Sequence, residues 1–159
     1  MHKDSQGFEQ TYILGDLAAT DALGARIAAS LRVGDVIALQ GELGAGKTTL
    51  ARAILRALGV KEVVPSPTFT LVQSYDTARL TVQHFDLYRI IESSELDELG
   101  IDEALEQGAA LIEWPERAGS RLPDDALHVA LSADDHARRA HISGPQHWAQ
   151  TFAGMTHVH

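Results

Sequence analysis

The sequence predicts a three-layer α/β fold built on a mixed, mainly parallel sheet. Three observations carry this. Val36-Ile37-Ala38-Leu39 and Ala109-Ala110-Leu111-Ile112 are short, unbroken apolar runs, the pattern of strands buried on both faces. Such runs alternate along the chain with helix-like stretches, the order that builds a parallel sheet between helices. Two β-rich runs, 68–75 and 80–85, are separated only by Asp76-Thr77-Ala78-Arg79, which predicts a hairpin and so some antiparallel pairing.

Taken in order, Phe8, Gln10, Tyr12 and Leu14 alternate with Glu9, Thr11 and Ile13, which predicts a first strand. Thr20 or Asp21 is positioned to cap a helix whose apolar stripe is Leu23, Ile27 and Leu31. After the turn Arg32-Val33-Gly34-Asp35 comes the buried strand 36–39, then a glycine-rich loop over 41–46. A helix over 48–58 is closed by Gly59. Pro65-Ser66-Pro67 breaks regular structure before the hairpin. Ser93 or Ser94 opens a helical stretch broken at Gly100, and Asp102 opens a second that ends near Gly108. The strand 109–112 exits at Glu113. Pro115 and Pro123 bracket a loop, and 127–131 with 139–142 predict a last strand pair. The chain of 159 residues is the length of one domain, assigned here to 1–144, with a weakly patterned tail over 145–159.

Composition narrows the function. There is no cysteine, which excludes disulfides, iron–sulfur clusters, thiolate zinc and a cysteine nucleophile. No apolar run approaches the roughly 20 residues that span a bilayer. The first residues have no apolar core of the kind a secretory signal needs, so a cytoplasmic protein without membrane association is expected. The net charge of −9 argues against an extensive surface for nucleic acid. The acids concentrate in Glu92, Glu95, Asp97, Glu98, Asp102, Glu103 and Glu106, a stretch without Lys or Arg. It reads as a solvated helical face, or else as a surface for a basic partner.

The strongest chemical signal is Gly41-Glu42-Leu43-Gly44-Ala45-Gly46-Lys47-Thr48, which fits G-x-x-x-x-G-K-[ST] between a buried strand and a helix. Glycines let the backbone curl until successive N–H groups face phosphate oxygens, and the helix N-terminus adds partial positive charge. Lys47 is then expected on the β- and γ-phosphates and the Thr48 hydroxyl on Mg²⁺. The three-layer fold is thereby specified as that of a P-loop NTPase. The chain contains no asparagine, so it lacks the Asn-Lys-x-Asp loop with which Ras-like proteins read guanine; adenine is the expected base. Asp97-Glu98-Leu99-Gly100 matches D-x-x-G but follows no apolar strand, so it is set aside.

Two strands end in an acid: Val82-Gln83-His84-Phe85 leads to Asp86, and Ala109-Ala110-Leu111-Ile112 to Glu113. Ligands of open α/β sheets lie at the carboxyl ends of strands. An acid there holds Mg²⁺ or orients the attacking water; the sequence leaves open which acid does which. Thr68, in a proline-stiffened loop, is either a strand-entry residue or a sensor of the γ-phosphate. His84 shares a strand face with Asp86 and is read as packing or hydrogen bonding, in preference to proton transfer or metal binding. Trp114 is either core or a cover for the nucleotide.

Several of these segments occur together, in order and spacing, in one family. The glycine-rich loop with Thr49-Leu50, Pro65-Ser66-Pro67-Thr68-Phe69-Thr70-Leu71-Val72, His84-Phe85-Asp86-Leu87-Tyr88-Arg89, Glu95-Leu96 through Gly100-Ile101, and Ile112-Glu113-Trp114-Pro115-Glu116-Arg117 resemble the TsaE family of small bacterial P-loop ATPases. The resemblance runs from about residue 14 to 144. It implies an ATP- and Mg²⁺-binding subunit that hydrolyses ATP slowly alone. Such a subunit acts with the TsaD–TsaB pair to form the threonylcarbamoyl group on adenosine 37 of tRNAs reading codons that start with A. By the same resemblance Gly41, Glu42, Leu43, Gly44, Ala45, Gly46, Lys47, Thr48 and Thr49 hold the nucleotide. Thr68 is the switch threonine, and Lys47, Asp86 and Glu113 are catalytic. Thr48, Glu113 and Asp86 surround the metal, with Trp114 as neighbour. The competing reading is a small-molecule kinase on the same scaffold, with Arg117 and Arg121 as lid arginines. A nucleotide-bound scaffold without turnover is a third.

Overall fold

The glycine-rich motif leaves a strand in the interior of the sheet, between two parallel neighbours. The computed structural model describes residues 7–42, 44–61, 71–133 and 137–155. Among them seven strands form one sheet: β1 (Gly7–Leu14), β2 (Val36–Gln40), β3 (Val72–Asp76), β4 (Thr81–Asp86), β5 (Gly108–Glu113), β6 (Leu127–Ala133) and β7 (Arg138–Pro145), in the order β1-β7-β6-β2-β5-β4-β3. The centre β6-β2-β5-β4 is parallel, and β3 on one edge and β7 and β1 on the other add antiparallel pairings. The sheet is therefore mixed, and the apolar runs fall in its middle. Every residue of β5 is buried, as expected of a strand covered on both faces.

Helices α1 (Leu17–Ser30) and α2 (Lys47–Ala57) cover one face, where Leu23, Ile27, Leu50 and Ile54 pack on Val82, Leu111 and Val129. The short helices α3 (Glu95–Glu98) and α4 (Ile101–Gln107) cover the other, with Leu96, Ile101 and Ala104 packed on Phe85, Ala110 and Ile112. The sheet thus separates two apolar clusters, and alternate side chains of β4 and β5 enter opposite ones. Among the described residues no helix is long and apolar enough to cross a membrane.

Three local expectations are corrected. Helix α1 begins at Leu17, capped by Asp16, whose carboxylate accepts from the Ala19 N–H at 2.8 Å. Thr20 is buried against the core and Asp21 pairs with Arg56 at 2.7 Å, so both proposed caps are engaged within the helix. Helix α4 begins at Ile101 behind Gly100, which adopts a left-handed conformation that leaves Asp102 inside the first turn. The acidic stretch itself is mostly exposed, with Glu95 half-buried, as a solvated face requires.

The third correction concerns the C-terminal boundary. Residues 146–152 form a 3₁₀ segment, Gln146–Phe152, that buries Trp148 and Phe152 in the α1–β1 cluster. Phe152 stacks on Phe8 at 5.5 Å, Arg26 donates to the Ala153 carbonyl at 2.6 Å, and Thr151 bonds Ser30 at 2.6 Å. The packed domain therefore extends at least to 152. A tail of weak local pattern is ordered here because its two aromatic residues, four apart, meet a groove supplied by β1 and α1. Truncating Trp148 to Ala is expected to remove about 3–5 kcal/mol of unfolding free energy, read by urea titration. A loss under about 0.5 kcal/mol would mean that this segment is not part of the core.

Candidate functional site

The three strands that carry the site end at one level. In the ladder Leu39 of β2 lies opposite Glu113 of β5, and Glu113 lies opposite Asp86 of β4. The loop leaving β2 carries the glycine-rich motif, and helix α2 starts from it at Lys47. Gly46 caps α2 with φ of 107° and no side-chain capping bond, so the first-turn N–H groups are not sequestered by a side chain. Gly41 has φ of 146°, and a Cβ there would stand 2.6 Å from the Leu131 carbonyl oxygen. The loop can leave β2 against the end of β6 only because that position is glycine.

Alternation turns Val82, His84 and Asp86 of β4, and Ala109, Leu111 and Glu113 of β5, toward α2. At the open end this places Lys47, Thr48, Asp86 and Glu113 side by side. The Thr48 hydroxyl donates to both carboxylate oxygens of Glu113, at 2.9 and 3.0 Å. The second of these oxygens also takes a bond from His84 Nε2 at 2.7 Å. Glu113 is only 2% exposed and His84 is fully buried. A buried carboxylate is tolerable only when its oxygens are bonded. The other ring nitrogen of His84, Nδ1, is buried and has no hydrogen-bond partner among the described residues. His84 is thus a hydrogen-bonding residue under the site, in keeping with the preference drawn from the sequence. Asp86 is also buried, and its carboxylate accepts from the Tyr88 N–H at 3.0 Å.

Lys47 is buried, its ammonium bonded to the Gly41 carbonyl and, at 3.0 Å, to that of Glu42. Desolvation draws its pKa below the ordinary lysine value, and the charges of Glu113, Asp86 and Glu116 oppose that shift. The Trp114 ring lies over the ammonium, 4.1 Å from Nζ to centroid, and tilts against Tyr88 at 4.9 Å. Trp114 holds φ of 60°, uncommon for a bulky residue, in the turn that carries the chain out of β5. Trp114 is half-buried: it packs against the cluster under α3 and α4, and its ring also lies over the motif lysine.

Glu42, Gly44, Ala45 and Thr49 lie in the loop and the first turn of α2, as their spacing predicts. Leu43 and Thr68 lie outside the described residues, as do Ser66 and Pro67. The two candidate lid arginines are engaged elsewhere. Arg121 pairs with Asp97 at 2.9 Å, and Arg117 donates to the Ile90 carbonyl at 3.2 Å and sits over Tyr88. The kinase reading gains no support from them. Sequence reasoning missed the contact between Arg138 and Gly46, which no local motif marks and which depends on the register of β7.

A glycine-rich loop between a buried strand and a helix, a lysine and threonine opening that helix, and acids ending two neighbouring parallel strands define a P-loop nucleotide-binding protein. The model of the family described as "Threonylcarbamoyl adenosine biosynthesis protein TsaE" matches residues 14–141. The chain belongs to the TsaE family, whose members serve tRNA threonylcarbamoyladenosine biosynthesis. It is 39% identical over 113 residues to the protein so named in Bacillus subtilis (strain 168), covering 70% of each chain. It is 38% identical over 133 residues to that of Rickettsia bellii (strain RML369-C), covering 82% of this chain and 92% of the relative. The crystal structure of YdiB from Bacillus subtilis superimposes with a TM-score of 0.76 at 28% identity, covering 91% of this chain and 92% of YdiB.

The bond from His84 to Glu113 predicts energetic coupling. Replacing His84 by Phe removes the donor and should cost about 1.5–3 kcal/mol in urea unfolding, the range for a hydrogen bond to a charged group. The cost should shrink by at least about 0.5 kcal/mol when Glu113 is already Leu, because the buried carboxylate is gone. An undiminished cost would make His84 ordinary packing.

Proposed function

We propose that this protein is the ATP-hydrolysing subunit for formation of the threonylcarbamoyl group on adenosine 37 of tRNAs reading codons that start with A. In this reading it is cytoplasmic and works with the TsaD–TsaB pair. The observation that carries the ATPase reading is the bond between the Thr48 hydroxyl and the Glu113 carboxylate at the mouth of the phosphate loop, with Asp86 beside them in register. Membership of the TsaE family supports the role in tRNA modification, and the net charge of −9 suits a subunit whose partners hold the tRNA.

The donor set fits Mg²⁺. Thr48, Glu113 and Asp86 offer hydroxyl and carboxylate oxygens, the hard ligands that Mg²⁺ takes from proteins one or two at a time, with phosphate oxygens completing the shell. Thr48 with Glu113 would hold it, since those two groups already meet. When bound, the ion neutralises charge on the β- and γ-phosphates. The chain's own groups do the rest. The loop N–H groups and the N-terminus of α2 cradle the phosphates. Lys47 exchanges its bonds to the Gly41 and Glu42 carbonyls for phosphate oxygens. Asp86, one strand further out than Glu113, is assigned the orientation of the attacking water. Thr68 is assigned the switch role. Trp114 limits the access of water to the lysine. Turnover then resets the complex with its partners, as nucleotide switches do.

Reconstitution with TsaD–TsaB, transcribed tRNA and ATP is the test. Asp86→Asn and Glu113→Gln should each retain ATP binding, while ATP hydrolysis falls on the order of 10²–10³-fold and tRNA modification falls with it. Their double variant should be far less impaired than the product of the two effects, because groups serving one centre fail together. Full activity of either single variant would remove that acid from the site. Transfer of the γ-phosphate to a metabolite in place of hydrolysis would favour the kinase.

A further inference from the structure

The two carboxylate oxygens of Glu113 are not equivalent. Oε2 lies 2.7 Å from His84 Nε2 and shares the proton of the Thr48 hydroxyl at 3.0 Å. Among the described residues Oε1 meets that hydroxyl alone, at 2.9 Å. A carboxylate oxygen has about two acceptor sites. Both sites of Oε2 are therefore filled from within the protein, and Oε1 keeps one open.

The bond to His84 is also the one that stays. His84 is fully buried and Glu113 is 2% exposed, so water has no room to replace the imidazole. Nδ1 of the ring is already buried with no hydrogen-bond partner among the described residues, and breaking the bond at Nε2 would leave both nitrogens unsatisfied. The strand ladder fixes the ring as well: His84 lies opposite Leu111, two residues before Glu113, on neighbouring parallel strands. Thr48 differs in kind. It is half-buried at the mouth of the loop, and its hydroxyl has lone pairs to give a cation while its proton remains on Glu113.

We infer that His84 is a positioning residue that makes Glu113 a one-oxygen metal ligand and so selects Mg²⁺ against Ca²⁺. The inference rests on the ATP–Mg²⁺ reading above. Mg²⁺ demands a small, nearly octahedral shell, which the narrow bite of a two-oxygen carboxylate distorts; Ca²⁺ takes more ligands and accepts both oxygens of one carboxylate. With Oε2 held by the imidazole, the site offers Mg²⁺ the single oxygen it uses and denies Ca²⁺ the second. The same bond fixes the plane of the carboxylate, as outer partners of metal ligands do. It also gives a fully buried histidine at the end of β4 a task that ordinary packing would leave to an apolar side chain.

Metal binding without turnover is the test. Protein saturated with a non-hydrolysable ATP analogue is loaded with Mn²⁺, followed by electron paramagnetic resonance, and the ion is displaced with Mg²⁺ and, separately, with Ca²⁺. The wild type should hold Mg²⁺ more tightly. In His84→Phe the ratio of the Ca²⁺ to the Mg²⁺ dissociation constant should fall about tenfold, because Mg²⁺ loses a positioned ligand while Ca²⁺ recovers an oxygen. A merely structural histidine would weaken both ions alike and leave the ratio unmoved. His84→Gln retains an N–H donor at about the reach of Nε2 and should keep the ratio within about threefold of the wild type. An unchanged ratio in His84→Phe, or a ratio in His84→Gln as low as in His84→Phe, would overturn the inference. Should phenylalanine prevent folding, read by circular dichroism, His84→Gln decides alone: a ratio near the wild-type value supports the inference, and one lowered about tenfold overturns it. A wild type that holds Mn²⁺ but does not discriminate Mg²⁺ from Ca²⁺ would overturn this inference only. A wild type that holds no Mn²⁺ beside the analogue would overturn the metal reading and the inference with it.

Discussion

The structure turns on a carboxylate that has to be buried. Glu113 ends a strand covered on both faces, so its charge sits at the floor of the site with almost no solvent. It is sustained by bonds from opposite directions: Thr48 from the start of α2, and His84 from one step down β4. Both donors must be in place together. The threonine is fixed by the phosphate loop, and the histidine by the pairing of β4 with β5 in one register. A slip of one residue in β4 would turn His84 and Asp86 to the far face of the sheet and leave Glu113 with Thr48 alone. Stability and function therefore select the same arrangement.

Around this centre the charged groups Lys47, Asp86 and Glu113 are all buried. Lys47 is bonded to loop carbonyls and covered by an indole, and burial of its ammonium pulls its pKa below the ordinary lysine value. Phosphates offer that ammonium a better set of acceptors than two carbonyls do. Binding would thus relieve a desolvated cation while adding bonds to the N–H groups of the loop. Trp114, held in a left-handed turn, packs against Tyr88 and the cluster under α3 and α4 and lays its ring over the lysine.

Much of the site is legible in the sequence because its parts are local. The loop motif, the apolar run before it and the helix after it occupy consecutive residues, and the two acids announce themselves as the first charges after buried strands. What depends on distant segments is not legible. The hydrogen bond from His84 to Glu113 joins residues 29 apart and requires knowing that β4 and β5 are neighbours. Arg138 reaches the loop only through the antiparallel return of β7. Trp148 and Phe152 read as a loose tail because one short 3₁₀ turn has no periodicity of its own, and their groove is made by residues at the other end of the chain. The start of α1 is misplaced for a different reason: Thr20 and Asp21 are acceptable caps by residue type, but the helix begins a turn earlier, where Asp16 accepts from the Ala19 N–H.

The most direct test is electron paramagnetic resonance of Mn²⁺, used in place of Mg²⁺, in the wild-type protein and in Thr48→Ala. With ATP present the account predicts one tightly held manganese ion per chain in the wild type, lost in the variant while ATP itself remains bound. Manganese held equally well without nucleotide, or undiminished in Thr48→Ala, would contradict a metal centre built on the threonine and Glu113.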